Sequence, residues 1–142
     1  MKKIGIIGFG GRVGGLATNY FKKFFPELVV TAIADIDLET TKKTLSNITD
    51  WDVDNITLYT DGVEMLDKEE LDGVMIGTRC NMHTKFAVEV LNRNIPVFLE
   101  KPVSTTLEDH ARLTEAVANS QAGGITSFPL RLTLLVEKAK EI

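Results

Sequence analysis

The chain of 142 residues holds one cysteine, Cys80, and only two histidines. A single thiol excludes an internal disulfide and points to a reducing compartment. Positive charge is not in excess: 16 Lys and Arg stand against 20 Asp and Glu, a net charge of −4. That balance argues against nucleic acid or an anionic membrane surface as the main partner. No apolar run is long enough to span a bilayer, and the first strand begins so early that no signal peptide fits before it. A cytoplasmic location is the expectation. The chain also lacks internal repeats, low-complexity tracts, linkers and metal-ligand spacings, so one domain over residues 1–142, without a metal, is expected. Its 44% apolar and 25% charged residues suit an ordinary globular domain with a substantial core.

What is present is concentrated at the start. Ile4, Ile6 and Ile7 form a short β-branched run that reads as a buried strand of a parallel sheet. Gly8-Phe9-Gly10-Gly11-Arg12-Val13-Gly14 follows at once. Beyond it Val13, Leu16, Ala17, Tyr20, Phe21 and Phe24 recur with the spacing of one helix face. A strand running through glycines into an amphipathic helix is the setting of a dinucleotide-binding turn. Gly8 permits the tight turn and Gly10 the close approach of backbone to phosphate. The free amides and positive dipole end of the helix favour a pyrophosphate. The glycine pattern is imperfect. Val13 occupies the place of the third glycine, and the turn reads either as Gly8, Gly10, Gly14 or as Gly8, Gly11, Gly14. Because the third glycine lets helix and sheet pack closely, Val13 predicts a slightly displaced helix.

Further strands are expected over Leu28–Ala34, 56–59, 74–76, 95–99 and 123–128. Helices are expected from Asp37 to about Asn47, over 63–66, 82–92, 107–119 and 129–142. The 82–92 helix should bury Phe86, Ala87, Val90 and Leu91. The 107–119 helix should bury the face Leu107, Ala111, Thr114 and Ala118. Short apolar strands alternating with helices predict an α/β fold: a Rossmann-type, doubly wound parallel sheet in the order 3-2-1-4-5-6.

Ligands in such sheets sit outside the carboxyl ends of the strands, which singles out three further segments. Asp35 ends the second strand about 20 residues beyond Gly14, where an acidic side chain accepts the ribose hydroxyls of the cofactor and repels a 2′-phosphate. Ile36 and Asp37 follow, with no cation to welcome that phosphate, so NAD is expected rather than NADP. Thr78, Arg79 and His83 follow the fourth strand and are candidates for the nicotinamide side. His83 reads better as a residue packing the start of the next helix than as a catalytic base. Cys80 reads as a passive thiol and His110 as exposed. Glu100 and Lys101 end the fifth strand, where an ammonium could hold a substrate oxygen.

The run Asp72-Gly73-Val74-Met75-Ile76-Gly77-Thr78, His83 after it, and Ile95-Pro96-Val97-Phe98-Leu99-Glu100-Lys101-Pro102 together resemble the Gfo/Idh/MocA oxidoreductases. The resemblance covers the chain from the glycine turn to the strand at 124–128. It implies that Lys101 is a catalytic and substrate-binding lysine, that Glu100 lines the nicotinamide site, and that the substrate is a sugar, polyol or related hydroxy compound. Arg79 and Cys80 depart from the Thr-Pro-Asn segment of that family. The family's larger C-terminal domain, which supplies oligomerisation and further catalytic groups, is not in this sequence. The expectation is therefore a truncated, inactive cofactor-binding half. The alternatives are a natural single-domain module that senses nucleotides without turnover and a pocket for another adenine nucleotide. In the last helix, Leu132, Leu134, Leu135, Val136, Ala139 and Ile142 give an apolar surface. It either folds back on the sheet or pairs with a second copy, which would make a homo-oligomer.

Overall fold

The computed structural model describes residues 1–129 and 133–141. Six strands, β1 (Lys2–Ile7), β2 (Leu28–Ala34), β3 (Thr57–Tyr59), β4 (Gly73–Ile76), β5 (Val97–Glu100) and β6 (Gly124–Ser127), alternate with six helices. The helices are α1 (Val13–Phe24), α2 (Leu38–Leu45), α3 (Gly62–Lys68), α4 (His83–Asn92), α5 (Leu107–Asn119) and α6 (Leu134–Lys140). All strands pair in parallel, in the order β3-β2-β1-β4-β5-β6. The predicted doubly wound sheet is the observed one.

Strand alternation divides the core in two. On one face Ile4, Ile6, Ile33 and Met75 pack with Val13, Ala17 and Phe21 of α1 and Leu45 of α2. On the other, Ile7, Ala34, Val74, Ile76 and Leu99 pack with Met65, Phe86, Val90 and Leu113 from α3, α4 and α5. Between Ile4 and Gly5 the pairing with β2 skips Thr31, since Ile4 faces Val30 and Gly5 faces Ala32. One extra residue bends a strand and shifts its alternation, which lets Val30 and Ile33 share one face. On the α1 side an open apolar groove of about 740 Å³ runs over β4–β6, lined by Phe21, Phe25, Met75, Phe98 and Ile125 among others.

The helix starts follow from their caps. The Asp37 carboxylate accepts from the Thr40 amide at α2 and Thr106 Oγ1 from the Asp109 amide at α5. At α3 the Asp61 carboxylate accepts from the amides of Glu64 and Val63, and these bonds hold its pKa below the ordinary carboxylate value.

Two expected faces are corrected. In α5 the buried residues are Leu113 and Ala116, while Leu107, Ala111, Thr114 and Ala118 are all exposed. The helix buries a narrow strip one turn long, and an i, i+3 pair is a weaker signal than the longer series that misled the reading. In α1, Tyr20 and Phe24 are about half exposed and stack on one another, with ring centroids 6.0 Å apart. They lie on the flank of the stripe that Val13, Ala17 and Phe21 bury. The last helix begins at Leu134 rather than Pro129. Of its expected apolar surface, Leu132 and Ile142 lie outside the described residues; Val136 is half-buried and Ala139 exposed.

Candidate functional site

The carboxyl ends of β1, β2, β3 and β4 open on one cavity of about 450 Å³, within the range of small-molecule sites. Gly8, Gly10, Asp35, Ile36, Thr78 and Arg79 line it as the strand-end rule predicts. Gly8 makes the turn after β1 at φ +84°, and its amide donates to the Ala34 carbonyl at 2.8 Å. Helical bonding begins immediately after, with the amides of Gly14, Gly15 and Leu16 donating to the carbonyls of Gly10, Gly11 and Arg12. The start of α1 has no side-chain cap at Arg12 and no acidic residue in its first turn. Its first amides and positive dipole end are therefore available to an anion. A Cβ added at Gly10 would come no closer than 4.0 Å to its nearest neighbour, the Gly77 carbonyl oxygen. The backbone there is open to a ligand.

Val13, the misfit of the glycine pattern, is fully buried. Room for it comes from the sheet: a Cβ at Gly77 would lie 2.4 Å from Val13 Cγ2. The small residue that lets helix and sheet approach thus stands at the end of β4 instead of in the turn.

Asp35 links the second strand to the turn. Its Oδ2 accepts from the Phe9 amide at 2.7 Å and its Oδ1 from the Asp37 amide at 2.9 Å. A carboxylate offers about four acceptor positions, so capacity remains for two hydroxyls. The Phe9 side chain turns away from the cavity into the core, 6.2 Å from the Trp51 ring.

The loop after β4 supplies the other wall of the cavity through Gly77, Thr78 and Arg79. Arg12 Nε donates to Glu100 Oε1 at 3.2 Å, joining the glycine turn to the end of β5. Glu100 is buried, while Arg12 is largely exposed. Lys101, next in the chain, is exposed and makes no ion pair among the described residues; its peptide bond to Pro102 is cis. His83 is 1% exposed and does not line the cavity. Its ring bridges two loops, with Nδ1 2.6 Å from the Pro102 carbonyl oxygen and Nε2 3.1 Å from that of Thr78. The reading of His83 as a residue that packs the helix start matches this position. Gly11, Arg12, Val13, Glu100 and Lys101 also lie off the cavity lining. Cys80 and His110 are both exposed.

Met82 lies in the segment after β4 that the strand-end rule marks as a wall; Thr60, Gly62 and Phe86, which the sequence did not single out as lining, join it and Ile7, Ala34 and Gly77 around the cavity. Thr60 follows β3 and was within reach of the strand-end rule. Phe86 comes from α4, and nothing in its spacing marks it as lining rather than core.

A parallel sheet in this order, with an uncapped glycine turn and an acidic strand end on one cavity, defines a dinucleotide-binding α/β domain. The sequence pattern of the oxidoreductase family with an NAD-binding Rossmann fold, Gfo/Idh/MocA, matches residues 2–124, and the chain belongs to that family. It is 25% identical over 139 residues to myo-inositol 2-dehydrogenase of Thermotoga maritima, covering 98% of this chain and 40% of that protein. It is 26% identical over 117 residues to inositol 2-dehydrogenase of Pseudomonas fluorescens, covering 80% and 32%. The chain thus spans between a third and two fifths of the length of these relatives. The fold is that of the WlbA dehydrogenase of Chromobacterium violaceum, solved with NADH and UDP-GlcNAcA, at a TM-score of 0.83 and 18% identity over 99% of this chain and 39% of that one. It is equally that of scyllo-inositol dehydrogenase of Lactobacillus casei, solved with NAD(H) and scyllo-inositol, at 0.82 and 20% over 99% and 40%. No helix among the described residues is long and apolar enough to cross a membrane.

Proposed function

We propose that this chain is the cofactor-binding part of an NAD(H)-dependent oxidoreductase acting on a sugar, inositol or related polyol. The observation that carries the reading is the Asp35 carboxylate, fixed by the Phe9 amide on a cavity that is also lined by Gly8 and Gly10 of the turn leading into the uncapped α1. When bound, the cofactor supplies the hydride acceptor or donor for the carbinol carbon.

The chain's own residues bind and orient. The amides at the start of α1 and the backbone at Gly10 hold the pyrophosphate, and Arg12 adds positive charge beside it. Asp35 accepts the ribose hydroxyls with its two remaining acceptor positions and repels a 2′-phosphate, which makes NAD the preferred cofactor. Ile36, Thr78 and Arg79 wall the cavity. Lys101 donates to the substrate oxygen and is the group able to move its proton. The inositol dehydrogenases among the relatives support the substrate class.

Asp35→Ser is the test. Loss of hydrogen bonds to a charged acceptor costs ~1.5–3 kcal/mol, so NAD affinity measured by calorimetry should fall about ten-fold or more. Affinity for NADP should fall less or rise. Equal affinity of the unmodified chain for the two cofactors would refute the assignment of Asp35.

A further inference from the structure

Three side-chain contacts tie the first turn of α4 to the loops that end β4 and β5. His83 reaches the carbonyl oxygens of Pro102 and Thr78, and Thr84 Oγ1 donates to the Val103 carbonyl at 3.1 Å. Both side chains are almost fully buried, at 1% and 2% exposure. The loop they hold from one side contains Lys101, and the loop held from the other contains Thr78, a wall of the cofactor cavity. The loops are otherwise separate stretches of chain, and a buried donor facing a carbonyl is a costly contact to leave unmade.

We propose that His83 and Thr84 are positioning residues: they clasp the Lys101 loop to the cofactor wall, and His83 touches neither cofactor nor substrate. The importance of Lys101 here rests on the function proposed above. Carbonyl oxygens only accept, so the His83 ring donates wherever it is bonded; a neutral ring has one N–H to give and a protonated ring two. Its two contacts are therefore separable. Asn in its place keeps an amide donor near ring Nδ1, toward Pro102, and Gln keeps one near Nε2, toward Thr78.

The experiment compares His83→Asn, His83→Gln, His83→Ala and Thr84→Val in the 142-residue chain. The readouts are backbone amide NMR shifts and calorimetric titration with NAD. The amides that report are those of Val103 and Arg79, each bonded directly to one of the two carbonyls. H83N should leave the Val103 amide near its wild-type position and move that of Arg79, and H83Q should do the reverse. NAD affinity should fall about five-fold, the worth of one net hydrogen bond, in H83N and H83A, and stay within two-fold in H83Q. T84V should move the amide after Val103, that of Ser104, and leave NAD affinity unchanged. If H83A does not fold, the unmodified chain still decides: a scalar coupling across a hydrogen bond from a His83 ring nitrogen to the carbonyl carbon of Pro102 or of Thr78 is expected. Identical shifts at Val103 and Arg79 in the Asn and Gln variants, or no such coupling, overturns the clasp. An unmodified chain that fails to bind NAD refutes the proposed function instead, and the amide pattern still judges the clasp.

Discussion

Gly77→Ala is expected to destabilise the domain strongly, and Val13→Gly to restore part of the loss. The new methyl would lie 2.4 Å from Val13 Cγ2, 2.7 Å from Val13 Cβ and 3.1 Å from the Gly8 carbonyl oxygen. Overpacking of this kind costs roughly 1–3 kcal/mol, and here one of the neighbours is backbone. Val13→Gly alone also destabilises, because it empties a fully buried site at the start of α1. In the double variant the glycine moves into the turn, giving glycines at 8, 10 and 13, and alanine stands on the strand. Urea denaturation of the four proteins gives the coupling. The double variant should be more stable than additivity allows by at least about 1 kcal/mol, within the range for residues in contact. Additive costs would mean that Gly77 does not make the room Val13 uses.

Gly8→Ala should be as damaging, for a different reason. At φ +84° an L side chain costs about 1–2 kcal/mol in backbone strain. The added carbon would sit 2.6 Å from the Thr78 nitrogen and 2.7 Å from the Gly77 carbonyl carbon, both backbone atoms of a central strand end. Together these amount to roughly 2–5 kcal/mol. Relief of the clash would push β4 away from the turn, so protein that still folds should have lost NAD binding. Thermal denaturation and cofactor titration check the two halves separately. A Gly8→Ala chain with unchanged melting and affinity would refute the described turn.

The contrast between these two glycines shows what was legible. Gly8 declared itself in the sequence because a strand, a glycine and a helix stood in order within a few residues. Gly77 did not, since its role depends on Val13 lying against it across the fold. The same division holds elsewhere. The sheet order followed from short apolar strands alternating with helices, and α4 buries the four residues its spacing named. Asp35 was found from spacing because the end of β2 and the glycine turn are adjacent in every sheet of this kind. The Arg12–Glu100 pair joins residues 88 positions apart, and the His83 clasp joins two loops through backbone carbonyls, which carry no residue type to read. The skipped Thr31 was invisible too, because a one-residue shift in pairing leaves no mark on composition. In α5 the sequence held a longer apolar series than the helix uses, and tertiary packing chose the shorter one.

The central claim is that NAD lies in the cavity at the strand ends. The larger apolar groove over β4–β6 is the alternative place for a flat ligand. Amide NMR shifts recorded as NADH is titrated into the chain distinguish the two. The account predicts that the amides of Gly8, Gly10, Gly11, Asp35, Ile36 and Thr78 move together, saturating at one equivalent, while Phe25, Phe98 and Ile125 stay still. Shifts confined to the groove residues, or spread evenly over the chain without saturation, would contradict it.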